Sequence, residues 1–326
     1  MQVCIRSIGS YVPENRVTND QLAEKVDTSD EWIRSHTGIG ARHIISDDQT
    51  TSDLAVEAAK IALEAAGMKP EDVGMILVAT ASPDYPGFPS TACVVQHKIG
   101  AMQAAAVDIA AGCTGFVYGL EMSRALVAAG SFKSVLLIGV ESLTRITNWQ
   151  DRNSCVLFGD GAGAVVITPS DNDSAIIDSL LKADGSGGEH LIRKAGGATY
   201  PFDHPQVTVE DTYIAMNGRQ VYNFAVRVNT EMISELLKRN NLTVDDISWI
   251  VPHQANIRII QAAAGRLKIP MDKFYLNIEE YANTSAASIP LALDEMIKKG
   301  VLKRGDLVLL VGFGAGLTYG GNLVRW

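Results

Sequence analysis

A strand–turn–helix pattern occurs twice in this chain, and the two copies stand about 170 to 174 residues apart. In the first copy, Asp72-Val-Gly-Met-Ile-Leu-Val reads as a strand, and Cys113 precedes a helical pattern that stops at Gly130, seventeen residues later. In the second, Asp246-Ile-Ser-Trp-Ile-Val-Pro reads as a strand, and Asn283 precedes a helical pattern that stops at Gly300, also seventeen later. An apolar strand follows each helix: Ser134-Val-Leu-Leu-Ile-Gly and Asp306-Leu-Val-Leu-Leu-Val-Gly. Strands that alternate with helices imply a largely parallel sheet buried on both faces. The expected fold is therefore α/β, built as two similar halves, residues 1–170 and 171–326. Pro290 departs from the repeat. Proline is costly inside a helix, so the second helix is expected to start near Ser288, with Pro290 in its first turn.

Local patterns fill in the halves. Thr51–Gly67 is an amphipathic helix in which Leu54, Ala55, Ala58, Ile61, Ala62 and Ala65 share a face. Val73–Thr80, Val135–Val140 and Ala164–Thr168 read as strands, and Pro89–Gly100 and Gly218–Asn240 as helices. The apolar run Ala104–Ile109 is expected as a buried strand. Asp184–Asp211, rich in Gly, His and Pro, is too long for an ordinary connection and is expected to form a lid or binding loop. Asp184, His190, Asp203 and His204 within it match no metal-ligand spacing, and no metal is expected.

Composition narrows the function. With 47% hydrophobic and 20% charged residues, the 326-residue chain has ample apolar material for a core. No run approaches the roughly 18 apolar residues that a membrane span needs, and Met1–Gly9 lacks the basic-then-apolar plan of a signal peptide. Cys4, Cys93, Cys113 and Cys155 form no CxxC pair, so reduced thiols and a cytoplasmic location are expected. A net charge of −9 argues against nucleic acid as a partner. It also requires any acidic partner to meet a local basic patch.

Three reactive side chains fall at the carboxyl ends of expected strands, where ligands bind in sheets of this kind. Cys113 follows the small turn Ala110–Gly112 and opens a helix. The helix macrodipole and the free N–H groups there favour the thiolate, the nucleophilic form. Gly112 and Gly115 leave room for a carbonyl group to approach the sulfur. His253, in Val-Pro-His-Gln-Ala-Asn256, directly follows an apolar strand. Asn283, taken alone, reads equally well as a helix cap. Gly159-Asp-Gly-Ala-Gly163 runs into a strand, not from a strand into a helix, so the dinucleotide-binding reading fails on order. Gly312-Phe-Gly-Ala-Gly316 follows a strand and precedes a β-like segment, Leu317–Val324. It is either a tight turn or a loop that aims backbone N–H groups at a developing oxyanion.

Taken in order, Ala111-Gly-Cys113-Thr-Gly115, His253-Gln-Ala-Asn256-Ile-Arg258, Asn283-Thr-Ser-Ala-Ala-Ser288 and Gly312-Phe-Gly-Ala-Gly316 resemble the motifs of β-ketoacyl-[acyl carrier protein] synthase III. That family supplies the initiating condensing enzyme of bacterial type II fatty acid synthesis. Thr28-Ser-Asp-Glu-Trp32-Ile and Phe88-Pro-Ser-Thr-Ala extend the resemblance over essentially the whole chain. The resemblance implies the thiolase fold, with duplicated halves in a five-layer α-β-α-β-α arrangement, and a homodimer. It also implies condensation of a short-chain acyl-CoA with malonyl-[acyl carrier protein] by a ping-pong route through acyl-Cys113, without metal or redox cofactor.

By the same resemblance, His253 and Asn283 complete the catalytic set, and the backbone N–H groups of Cys113 and Ala315 hold the oxyanion. The family usually has glycine where Ala315 stands. Trp32 and Arg152 would sandwich the adenine of coenzyme A, Asn256 would contact its pantetheine arm, and Phe88 would reach into the partner subunit's primer pocket. Gln254, Ala255, Asn256, Ile257 and Arg258 match the segment that docks the acyl carrier protein, with Arg258, Arg266 and Lys268 as its basic patch on one helix. His36 stands where many relatives carry arginine, and Asn223 where relatives can carry lysine. Thiolase-like polyketide synthases share the triad, and Cys-His-Asn also serves cysteine hydrolases, so both stand as rival readings.

Overall fold

Runs of aliphatic and β-branched residues become strands here, and the alanine-rich stretches between them become helices. The structure is a computed structural model that describes every residue, Met1–Trp326. The chain begins with β1 (Val3–Tyr11), β2 (Arg16–Thr18), α1 (Asn19–Ala23), α2 (Asp30–Thr37), β3 (Ala41–His43) and α3 (Thr51–Ala66). It continues with β4 (Met75–Ala79), α4 (Thr91–Ile99), β5 (Ala105–Ile109), α5 (Gly115–Ala128), β6 (Val135–Glu141), α6 (Arg152–Cys155) and β7 (Gly161–Pro169). Next come β8 (Ala175–Ala183), β9 (Leu191–Arg193), β10 (Ile214–Met216), α7 (Gly218–Arg239), β11 (Trp249–Pro252) and α8 (Ile257–Leu267). It closes with α9 (Ile278–Tyr281), α10 (Ser288–Lys298), β12 (Leu307–Gly314) and β13 (Thr318–Arg325).

Two sheets carry the architecture, in the orders β1-β7-β6-β4-β5 and β11-β12-β13-β8. In the first, β4 and β6 are parallel, while β6 with β7 and β7 with β1 are antiparallel. In the second, β11 and β12 are parallel, while β12 with β13 and β13 with β8 are antiparallel. The fifth strand has a remnant too: β4 pairs in parallel with β5, and Ile250 of β11 makes a parallel bridge to Phe274. The repeat in the sequence is thus a repeat of sheet topology. The sheets are mixed, not largely parallel as expected. β13 returns directly after β12 through a short turn, with no helix to carry the chain back.

Packing stacks the elements in five layers. α3 covers the outer face of the first sheet, where Leu54, Ala58 and Ala62 meet Ile76, Leu136 and Val166. α5 and α10 lie between the sheets, and Phe116, Leu120 and Leu293 share one core with Leu77 and Leu137 on one side and Val308 and Leu310 on the other. α7 and α8 cover the far face of the second sheet, setting Met232, Ile233 and Ile260 against Leu309 and Val311. Position in this stack explains composition: α5 is packed on both sides, and its Phe116, Val117, Leu120 and Val127 are all fully buried.

Local signals behave as their chemistry requires. α3 starts at a capping box between Thr50 and Asp53 and ends at Gly67, whose φ of 63° is left-handed. α10 starts at Ser288, with Pro290 in the first turn. One expectation fails. β5 is the edge of its sheet, not a buried strand, and Val107 is 41% exposed. Its apolar residues reflect an open edge, which invites a further strand. The long connection after β8 is also more ordered than a loop: β9 and β10 pair as an antiparallel ribbon beside the site described below. No helix is long and apolar enough to cross a membrane.

The halves meet at close range where β6 passes the segment before α10. A Cβ at Gly139 would collide with the Ala286 carbonyl oxygen. Gly139→Ala should therefore cost about 1–3 kcal/mol in urea denaturation. Gly185→Ala, where a Cβ meets nothing within 4 Å, should stay within about 0.5 kcal/mol of the parent.

Candidate active site

Cys113 is the middle residue of a tight turn, Gly112–Thr114, that leads from β5 into α5. Gly112 has a φ of 51°, and a Cβ there would stand 2.8 Å from the Ala315 nitrogen. A Cβ at Gly314 would stand 2.5 Å from the Cys113 nitrogen. Glycine is thus required on both sides of a main-chain contact that presses the Gly312–Gly316 loop against the Cys113 turn. Neither the Cys113 nor the Ala315 N–H has a partner among the turn and loop hydrogen bonds. Two backbone donors are therefore available beside the sulfur.

The thiol is not the thiolate that its place before a helix suggests. Burial pushes Cys113 up to about 12; the Ser285 hydroxyl opposes that shift and the Glu141 carboxylate adds to it. Desolvation of an anion outweighs the favourable end of α5.

His253 directly follows β11, and its N–H donates to the Val311 carbonyl at 2.8 Å. Its ring is buried, lies edge-on to Phe313 with centroids 5.3 Å apart, and places Nδ1 2.7 Å from the Ser288 hydroxyl. Nε2 is buried with no partner in the protein. Burial lowers the imidazole to about 3, so the ring is neutral at physiological pH. Asn283 is pinned by its backbone between Leu157 and Gly159, at 2.9 and 3.1 Å. Its Oδ1 accepts the Ser285 N–H at 2.9 Å, which leaves the Nδ2 donors unused. The carboxamide thus closes a local turn instead of capping α10. The repeat also resolves more finely than its sequence spacing. A tight turn, Ser285–Ala287, precedes α10 as Gly112–Thr114 precedes α5, so Ala286 is the counterpart of Cys113 and Asn283 lies three residues earlier.

Cys113, His253 and Asn283 all line one cavity of about 800 Å³, together with Phe313 and Gly314. The same cavity reaches Trp32 and His36 on α2. A smaller apolar cavity of about 100 Å³ opens on Cys113 among Leu143, Ile146, Phe158 and Leu191.

Comparison with known proteins gives the family. A family model described as 3-oxoacyl-[acyl-carrier-protein (ACP)] synthase III matches residues 107–185, and one described as its C terminal part matches 237–326. A β-ketoacyl-[acyl-carrier-protein] synthase III of Caldanaerobacter subterraneus subsp. tengcongensis is 51% identical over 99% of this chain and 97% of its own length. The chain belongs to the β-ketoacyl-[acyl-carrier-protein] synthase III family. Its Geobacillus kaustophilus relative is 48% identical over 99% of this chain and 98% of that protein. The crystal structure of the Aquifex aeolicus synthase III superimposes with a TM-score of 0.91 at 44% identity, covering 99% of this chain and all of that one. The priming β-ketosynthase of the R1128 polyketide pathway gives the same TM-score at 33% identity, over 99% of this chain and 96% of its own. As a synthase III family member the protein is a condensing enzyme, an acyltransferase with the thiolase-type fold.

The remaining expected residues fall into distinct places. Trp32 is flanked on α2 by the stacked ring of His36, with centroids 4.4 Å apart, and the Arg152 guanidinium lies 4.7 Å from the indole centroid. Asn256 lines the large cavity, yet its carboxamide is already engaged: Nδ2 donates to the His36 carbonyl at 3.1 Å and Oδ1 accepts the Arg258 N–H at 2.8 Å. Phe88 is 89% exposed and borders neither cavity of its own chain. Gln254 is a correction. It is buried, with Nε2 donating to the Pro252 and Tyr275 carbonyls and Oε1 accepting the Asn277 N–H, so it cannot meet a docking protein. Arg258 and Arg266 are exposed on α8, and Lys268 caps that helix instead of lying within it.

Sequence reasoning missed Glu141, Ser285 and Ser288, which support the three reactive groups. A signal existed for Glu141: a carboxylate ends an unbroken apolar run, Val135–Val140. The serines lie inside a motif whose asparagine drew the attention.

His253 should leave a mark on acid stability. Below pH 6.5 the unfolded chain gains a proton that the folded imidazole refuses until about pH 3, so stability is lost as pH falls through that window. The stability advantage of the parent over His253→Gln should shrink by about 2 kcal/mol between pH 7 and pH 5 in urea titrations.

Proposed function

We propose that this enzyme condenses a short-chain acyl-CoA with malonyl-[acyl carrier protein] to give 3-oxoacyl-[acyl carrier protein], the step that initiates fatty acid synthesis. The observation that carries this reading is the convergence of one thiol, one neutral imidazole with a free Nε2 and one carboxamide with free Nδ2 donors on a single cavity.

The cavity serves two half-reactions. In the first, the Cys113 sulfur attacks the thioester carbonyl, coenzyme A leaves, and the acyl group stays on the sulfur. The N–H groups of Cys113 and Ala315 hold the oxyanion, and the acyl chain lies in the small apolar cavity. In the second, the malonyl thioester loses CO₂, and its thioester oxygen gains negative charge as the enolate. The Nδ2–H of Asn283 donates to that oxygen, as does the Nε2–H of His253 in the tautomer whose Nδ1 accepts the Ser288 hydroxyl. A neutral imidazole suits this role because it donates without first carrying charge into a dry site. The enolate carbon then attacks acyl-Cys113, a C–C bond forms, and the C–S bond breaks. The electron pair comes from the departing CO₂, so the reaction needs no metal or redox cofactor.

Substrates and partners follow from the surface. Adenine stacks between Trp32 and Arg152 once Arg152 lifts from the indole. The acidic carrier protein docks on Arg258, Arg266 and Lys268, a basic patch on a chain of net charge −9. The open edge of β5 and exposed Phe88 suit a homodimer in which Phe88 enters the partner subunit's primer pocket. All four cysteines are free, which fits a reducing cytoplasm.

Labelled acetyl-CoA should leave a covalent acyl adduct on the parent and none on Cys113→Ser; retained label on that variant would refute the nucleophile. His253→Ala and Asn283→Ala should still acylate but lose about 100-fold or more in malonyl decarboxylation. The polyketide-type reading, favoured by the similarity to the R1128 priming enzyme, predicts efficient use of malonyl-CoA in place of the carrier-bound donor. The proposed reaction predicts strong preference for the carrier-bound form.

A further inference from the structure

Asn283 can donate to an enolate oxygen only if its carboxamide is held the right way round, because the two ends of that group have opposite hydrogen-bonding character. Oδ1 turned to the cavity would repel the same oxygen that Nδ2 attracts. The Ser285 N–H fixes this orientation by engaging Oδ1 at 2.9 Å. Ser285 itself is held at a φ of 48°, a left-handed conformation that is strained for a residue with a side chain. A conformation of this kind persists only where neighbouring groups hold it.

Glu141, the last residue of β6, supplies that hold. It is fully buried. Its carboxylate accepts the Ser285 hydroxyl at 2.8 Å, in a bond that spans the two halves of the molecule. It also accepts the Ser82 hydroxyl at 2.6 Å, the Ala81 N–H at 3.0 Å and the Thr80 hydroxyl at 3.3 Å. These four partners are all donors, and none is a lysine, arginine or histidine. A buried carboxylate without a counter-charge is costly, and the four donors offset part of that cost. Thr80, Ala81 and Ser82 follow β4 in the first half, so the carboxylate ties that loop to the Asn283 segment in the second. On the same strand, Gly139 has no space for a Cβ against the Ala286 carbonyl. Backbone contact brings the segment close, and the side chain of Glu141 then holds Ser285.

We propose that Glu141 is a positioning residue for Asn283, acting through Ser285 to keep the Nδ2 donors of the carboxamide turned to the cavity. The Oγ bond holds Ser285 at its left-handed φ, and in that conformation the Ser285 N–H points back to Asn283 Oδ1. Without the carboxylate, Ser285 relaxes toward the ordinary negative range of φ. Its N–H then leaves Oδ1, and the carboxamide is free to rotate. Glu141 lines neither cavity, so it acts only through its neighbours. This inference rests on the reading of Asn283 as a donor to the enolate oxygen.

The test follows release of labelled CO₂ from malonyl-[acyl carrier protein] by Glu141→Gln, Ser285→Ala and each of these combined with Asn283→Ala. Each single variant should lower kcat for decarboxylation about 10- to 100-fold and leave KM within about threefold of the parent. Acylation of Cys113 by labelled acetyl-CoA should fall about ten times less than decarboxylation does. In the Asn283→Ala background, neither substitution should lower decarboxylation further by more than about twofold, because the group it positions is gone. Losses that multiply in the double variants overturn the proposal, since they mark a general effect on the fold. Parent-like decarboxylation by Ser285→Ala overturns it as well. Ser285→Ala and its double variant carry the same comparison if Glu141→Gln does not fold. Parent-like decarboxylation by Asn283→Ala alone would instead overturn the reading of Asn283 itself.

Discussion

Everything at the reactive centre depends on one main-chain contact, the approach of the Gly312–Gly316 loop to the Cys113 turn. Gly112 and Gly314 face each other's segments with no space for a Cβ. The contact joins the two halves, because the loop follows β12 in the second sheet and the turn follows β5 in the first. It sets the Ala315 N–H beside the Cys113 N–H, and a pair of donors at fixed spacing can stabilise developing charge without rearrangement. A second contact of the same kind sets β6 at Gly139 against Ala286 and so carries the Asn283 segment to the same place. Close approach of backbones thus joins the two copies of the fold, together with the apolar core they share between the sheets. The Ala315 nitrogen and methyl group both face Gly112, 2.8 and 3.2 Å from where a Cβ there would lie.

The electrostatics of the centre follow from how dry those contacts make it. Removal of water disfavours every charged form, so the thiol of Cys113 and the carboxyl of Glu141 are pushed up and the imidazole of His253 down. The resting site therefore holds its reactive groups neutral, apart from Glu141 near its midpoint. In the proposed reaction, charge would arise beside donors already in place. The surface is arranged differently. Trp32 and His36, both half-buried, line the large cavity and stack with exposed Arg152, and Arg258 and Arg266 stand on α8. These charged groups stand away from the region where charge is costly.

Much of this was legible in one dimension. The spacing of the repeat announced two similar halves, the Cys113, His253, Asn283 and Gly312 motifs announced the family, and Pro290 marked where α10 had to begin. These are local facts: a glycine stop, a missing amide hydrogen, an apolar run of strand length. Where the reading failed, the cause was not local. Ala104–Ile109 has the composition of a buried strand, but its burial depends on its rank in the sheet, and it lies at the edge. Gln254 sits in a motif that reads as a docking surface, yet its carboxamide turns inward to satisfy backbone groups on two other segments.

The amino-acid sequence by itself determined the elements and their duplication and singled out Cys113, His253 and Asn283, because each rests on periodicity or on residue chemistry within a few positions. Only the tertiary structure decided that these side chains share one cavity, which protonation states they hold there, and that Glu141 and Ser285 belong with them. Those properties depend on what lies within a few ångströms in space. For Glu141 the decisive neighbour, Ser285, is separated by 144 residues of chain.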